Sequence, residues 1–208
     1  MVVTVLRRVC GLPFRVATLR VPDRAGRRRP GAVGRLALRL FVTAAVLAAC
    51  SPAYDWRTVT NGDNGYSVDL PARPRADQRD VEVDGTPMHM SMQTAEVDDV
   101  VFVVGTLALP DAQAATQQRA LAFLRDGLAR NVGAPARTRE VAVPVSSGGS
   151  VEGIEMELAG KAGQTQQART LHARLVAKGA RAYEVAIVGR GQPPVEQVDQ
   201  FFQSFRLY

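Results

Sequence analysis

The chain has 208 residues and a formal charge of +6, and that charge is unevenly placed. Ten arginines and one aspartate precede Cys50, so the segment before it carries +9 and the remainder −3. A mildly acidic remainder excludes the basic footprint of a nucleic-acid binder, and with Cys10 and Cys50 the only cysteines, the chain after Cys50 has no disulfide to hold it.

The first 49 residues read as a leader. Arg27, Arg28, Arg29, Arg35 and Arg39 come before an apolar run, Leu40-Phe41-Val42-Thr43-Ala44-Ala45-Val46-Leu47. A basic region, an apolar stretch of about 7–15 residues and small residues at a cut describe a secretory signal. The run is too short for a membrane-spanning helix, which needs about 20 apolar residues. Its end, Leu47-Ala48-Ala49-Cys50, resembles the lipobox of bacterial lipoproteins. The resemblance implies cleavage between Ala49 and Cys50 and lipid on Cys50, where acyl chains contribute about 0.8 kcal/mol per buried CH₂. A plain secretory signal that happens to contain a cysteine is the competing reading. Ser51 in place of an aspartate favours the outer membrane by the same resemblance. Residues 1–30 are longer and more basic than such a leader needs. We expect translation to start at a later codon, such as the one read as Val33 or Val21.

Residues 50–55 form a tether, and residues 56–208 are long enough for one domain with its own core. Trp56–Thr60 and Tyr66–Leu70 read as strands of a hairpin around Asn61-Gly62-Asp63-Asn64-Gly65, which is rich in turn formers. Pro71–Ala76 reads as a loop. Val81 and Val83 alternate with acidic residues, Asp84-Gly85 signals a two-residue turn, and Met88, Met90 and Met92 alternate with His89, Ser91 and Gln93. Val100–Val104 is apolar throughout, the pattern of a central strand covered on both faces. Leu121, Leu124, Leu128 and Val132 predict an amphipathic helix, with Asp111 as N-cap and Gly133 at the end.

Four more strands are predicted. One carries Val141, Val143 and Val145, and Pro144 places it at a sheet edge or strand end. Ile154, Met156 and Leu158 mark the next, with Gly160–Gln164 as a turn. Leu171, Ala173 and Leu175 mark the third, joined through Lys178-Gly179 to Tyr183–Val188. A last helix opens at Pro194 and presents Val195, Val198, Phe202 and Phe205. Short turns between consecutive strands imply antiparallel pairing. Segregated helices imply an α+β domain, an antiparallel sheet flanked by helices.

Two stretches carry a family likeness. Gly65-Tyr66-Ser67-Val68-Asp69-Leu70-Pro71 and Phe201-Phe202-Gln203-Ser204-Phe205-Arg206-Leu207 resemble the opening and closing motifs of PsbP-like domains, including their DcrB-like bacterial lipoprotein members. The resemblance covers Trp56 to Tyr208. It implies a PsbP-like αβα sandwich and a binding or assembly role rather than catalysis, which is analogy from fold.

Among chemistry-bearing residues, Met88, His89, Met90 and Met92 form the most suggestive cluster, because thioethers and imidazole suit Cu(I). A strand, however, sets the methionines on one face and His89 on the other, and methionine commonly fills core gaps. His172 reads as a surface histidine, with no G-x-S-x-G nucleophile motif in the chain. Gly160–Thr165 lacks the order of a phosphate loop. Glu152, Glu155 and Glu157 read as a solvated face paired across strands with Arg169 or Arg174. The expectation is therefore a lipid-anchored cell-envelope protein facing the periplasm, of binding or accessory type. It is expected not to be an enzyme and to need no cofactor or nucleic acid. Its partners are the membrane, through Cys50, and an unidentified envelope protein. The alternative is a small-ligand or copper-binding module built on the Met88–Met92 strand.

Overall fold

A computed structural model describes residues 53–162, 167–191 and 193–208. Ten strands and two helices follow one another among these residues. They are β1 (Arg57–Asn61), β2 (Tyr66–Leu70), β3 (Arg75–Val83), β4 (Thr86–Val97), β5 (Val100–Ala108), α1 (Ala114–Val132), β6 (Arg137–Pro144), β7 (Ser150–Ala162), β8 (Gln167–Lys178), β9 (Arg181–Gly189), α2 (Val195–Ser204) and β10 (Arg206–Leu207). β3 to β9 form a seven-stranded sheet in the order β3-β4-β5-β9-β8-β7-β6, and β1, β2 and β10 form a three-stranded one. Every strand pair is antiparallel. The fold is α+β.

Because side chains alternate across a strand, the large sheet has two apolar faces, and each is covered. Met88, Met90, Leu107, Met156, Leu158, Leu171, Ala173, Leu175 and Ala186 point to one face and meet Ala120, Leu124, Leu128 and Val132 of α1. Phe102, Val104, Val176, Val185 and Ile187 point to the other. There they meet Tyr66, Val68 and Leu70 of β2, Phe201 and Phe202 of α2, and the following Phe205 and Leu207. The second face is thus shared by a helix and a small sheet, where the sequence reading expected helices alone. β4 serves both layers: Met88 and Met90 are buried on the α1 side, and beyond them Ala95 is buried on the other.

Several local expectations are corrected. Arg75 and Ala76 belong to β3 rather than to a loop, and Gly160 lies inside β7, opposite Arg169. A Cβ built on Gly160 would sit 2.4 Å from the Val132 carbonyl oxygen, so its bare backbone is what lets the end of α1 approach β7. Residues 163–166 of that expected turn lie outside the described residues. Asp111 does not cap α1. The helix starts three residues later with Gln113 at the N-cap, and Asp111 Oδ1 instead accepts the Gln113 N–H at 2.9 Å. Gly133 ends the helix in the left-handed conformation (φ 68°), its N–H bonded to the Ala129 carbonyl at 2.9 Å. Val195, expected on the apolar face of α2, is 68% exposed, because α2 packs through Phe201 and Phe202. Val101 and Val103 of β5 are only half-buried, so full cover of that strand begins at Val104.

Candidate functional site: a carboxyl group beneath the long helix

β9 is the fourth strand of seven, and Ala182 to Ile187 are all buried. One of them is an acid. Glu184 is 9% exposed and points to the α1 side, between Gly105 of β5 and Leu175 of β8. Burying an ionisable group costs heavily unless it is paired or neutralised, so the surroundings of this carboxyl matter. Gly105 makes the room. A Cβ there would lie 2.8 Å from Glu184 Cγ and 2.9 Å from Met90 Cε, so both side chains lean into the space a larger residue would fill. Arg79, on edge strand β3 opposite Met90, reaches over the same strand, its Nη2 3.8 Å from Met90 Sδ.

These groups line a crevice of about 240 Å³ between α1 and the sheet. Glu184 and Met90 come from the sheet, Arg79 from its edge, and Phe123, Arg130 and Asn131 from α1. Desolvation pushes the Glu184 carboxyl from 4.5 up to about 7, and the nearby Arg79 guanidinium partly offsets that rise. Among the described residues no hydrogen bond reaches this carboxyl, and neither Arg79 nor Arg130 is in an ion pair within 4.0 Å. The crevice therefore brings groups of both signs to a lining that is mostly polar, with Phe123 the half-buried apolar side chain on its wall. It can accept a hydrogen-bond donor at its floor and an anion at its rim.

The residues singled out from sequence are placed as follows. Leu47, Ala48, Ala49 and Cys50 lie outside the described residues. Met88 and Met90 are buried in the layer under α1, with Met92 half-buried beside them. His89 is on the opposite face, exposed, with Nδ1 2.9 Å from Asp80 Oδ1. The four side chains do not converge, and the neighbour of Met90 sulfur is a cation. Among the described residues no group of three or more His, Cys, Asp or Glu is placed to hold a metal.

His172 is half-buried, 3.7 Å from Glu157, in a broader depression of about 410 Å³ that Arg137 and Thr170 also line. The Thr170 hydroxyl donates to the Gly191 carbonyl at 2.8 Å rather than to His172. Glu155 corrects the expectation of a solvated face. It is 8% exposed and sits directly between Arg139 of β6 and Arg174 of β8, bonded to both, with Arg174 Nε at 2.7 Å. The pairing with Arg174 is as read from sequence; the burial is not.

Glu184 was not singled out from sequence, although a signal was present. It is the one charged residue within Ala182–Gly189, and a Gly interrupts the apolar run of β5 opposite it. No protein-family model matches the chain, and no curated protein matches it.

Proposed function

We propose that this chain is a lipid-anchored cell-envelope protein whose PsbP-like domain binds a ligand or partner rather than catalysing a reaction. Its leader is removed before Cys50, the lipid is carried on that cysteine, and the domain faces the periplasm, with Ser51 favouring the outer membrane. The observation that carries the reading is how soon the folded domain begins after the lipobox. Tyr54, four residues past Cys50, already stacks on Trp56 (centroids 6.0 Å apart) and lies edge-on to Phe102 at 6.3 Å. Asp55 N–H bonds the Pro71 carbonyl at 2.8 Å. Packing thus begins inside the 50–55 stretch expected to be a tether, within a few residues of the lipobox, and shortens that tether.

The likeness to PsbP-like domains gains support from the way its two motifs meet. β10 pairs with β2 through Leu207 and Tyr66, and the Tyr66 and Phe205 rings lie 5.9 Å apart. The opening and closing motifs therefore form one structural unit, although well over a hundred residues separate them. A binding role is supported by the Glu184 crevice, whose charged groups are free to hold something else.

Membrane fractionation with intact-mass measurement of wild type and Cys50→Ala tests the anchor. The expected result is wild type in the membrane, beginning at Cys50 and carrying acyl mass, with both processing and lipid lost in the variant. Wild type that is soluble and without added mass would overturn the proposal.

A further inference from the structure

The Glu184 crevice combines three features. Its floor is a carboxyl group that is nine-tenths buried, aims into the space and has no hydrogen-bond donor among the described residues. Its rim carries two guanidinium groups, Arg79 and Arg130, that are not spent on neighbouring carboxylates. Its lining is mostly polar, and of its apolar residues Phe123 is half-buried while Met90 and Leu124 are almost fully covered. The Glu184 carboxyl lines the crevice, where a donor can reach it, and Arg79 is close enough to lower its pKa yet does not close on it. Something between the two that donates to Glu184 and accepts from the arginines satisfies every charged group at once.

We propose that the crevice between α1 and the sheet binds a small α-amino acid with an apolar side chain, its ammonium on Glu184 and its carboxylate on Arg79 and Arg130. The size agrees. Each water in the liquid takes about 30 Å³, so a 240 Å³ crevice has room for about eight waters or a molecule of roughly ten heavy atoms, such as leucine. An amine alone would meet two rim cations and leave them unpaired. A carboxylate alone would leave Glu184 without a donor. The zwitterion carries both complements at the separation of neighbouring atoms, and its apolar side chain lies against Phe123. An ammonium seated on Glu184 also favours the ionised carboxyl, so binding releases a proton near neutral pH.

The test is calorimetric titration of the full processed protein, purified in detergent, with three probes. These are leucine, 4-methylpentanoate (leucine without its amine) and 3-methylbutylamine (leucine without its carboxylate). Leucine is expected to bind with a Kd of roughly 1 mM or tighter, and each single-charge probe at least about tenfold more weakly. Glu184→Gln and Arg79→Gln are each expected to weaken leucine by about tenfold or more. Arg79 is exposed on an edge strand, so its variant remains a test if Glu184→Gln folds poorly. Absence of leucine binding, equal binding of 4-methylpentanoate, or unchanged leucine affinity in the Arg79 variant would each overturn the proposal. The inference does not depend on the anchor: a soluble, unlipidated protein that bound leucine would sink the anchoring reading and leave this one standing.

Discussion

Arg139 and Arg174 both bond Glu155, and what surrounds them differs. Arg139 lies on edge strand β6 with its side chain 69% exposed, where water competes for the same contact. Arg174 is 18% exposed. It also donates to the Phe202 carbonyl at 3.1 Å, and its guanidinium stands 4.7 Å over the Phe202 ring. It therefore ties the sheet to the backbone and the ring of α2. Exposed ion pairs contribute about 0–1 kcal/mol, whereas removing one partner of a buried pair costs about 3–5 kcal/mol. We expect Arg139→Ala to cost less than about 1 kcal/mol and Arg174→Ala about 3 kcal/mol or more, read by chemical denaturation. Equal effects would show that Arg174 is as well solvated as Arg139 and does not fasten α2.

At the scale of elements, each face of the sheet depends on a close approach that only certain residues permit. α1 ends against β7 where Val132 O faces Gly160, and a methyl group there meets a carbonyl that cannot rotate away. Gly160→Ala is expected to cost about 1–3 kcal/mol by overpacking, with the loss seen first as faster amide exchange in the last turn of α1. Unchanged exchange would mean that the helix end is not seated on β7.

The elements that were legible in the sequence are those whose turns need a special backbone. β2 was read with its exact bounds, and the Asp84-Gly85 turn (φ 48° and 79°) and Gly179 (φ 58°) were read as turns because glycine and aspartate tolerate positive φ. The turn at Asp98-Asp99 uses the same conformation (Asp98 φ 54°) without a glycine and gave no signal. β4 hid its full length because its buried face changes sides after Met92, which breaks the alternation. β10 is two residues long and is held by its pairing with β2 and a bridge from Leu207 to Val145, so no local pattern announces it. Gly160 reads as a turn in sequence because a glycine needed for close approach looks the same there as one needed for a bend.

For the molecule as a whole, the sheet organises two cores back to back and keeps one carboxyl group inside the layer beneath α1. Arg79 of β3 and Arg130 of α1 are the charged groups that line its crevice, while its cross-strand neighbours on β5 and β8 are Gly105 and Leu175. A charge within a buried strand is visible in sequence, but whether it faces a neighbour or a crevice depends on Gly105, an edge arginine and a helix that only the fold brings together. Its energetic signature is global. Raising the folded-state pKa of Glu184 from 4.5 to about 7 means that the folded protein holds this proton more tightly than the unfolded chain. The contribution to stability is fully present below about pH 4.5 and is lost as pH rises to about 7, at about 1.4 kcal/mol per pH unit. Other groups titrate in that window too, but they are common to wild type and Glu184→Gln and cancel in the difference. The most direct measurement is therefore the unfolding free energy of both proteins across that interval. The wild type is predicted to lose about 3 kcal/mol relative to the variant as pH rises. Parallel curves would contradict a buried, unpaired carboxyl at Glu184, and with it the site on which the ligand proposal stands.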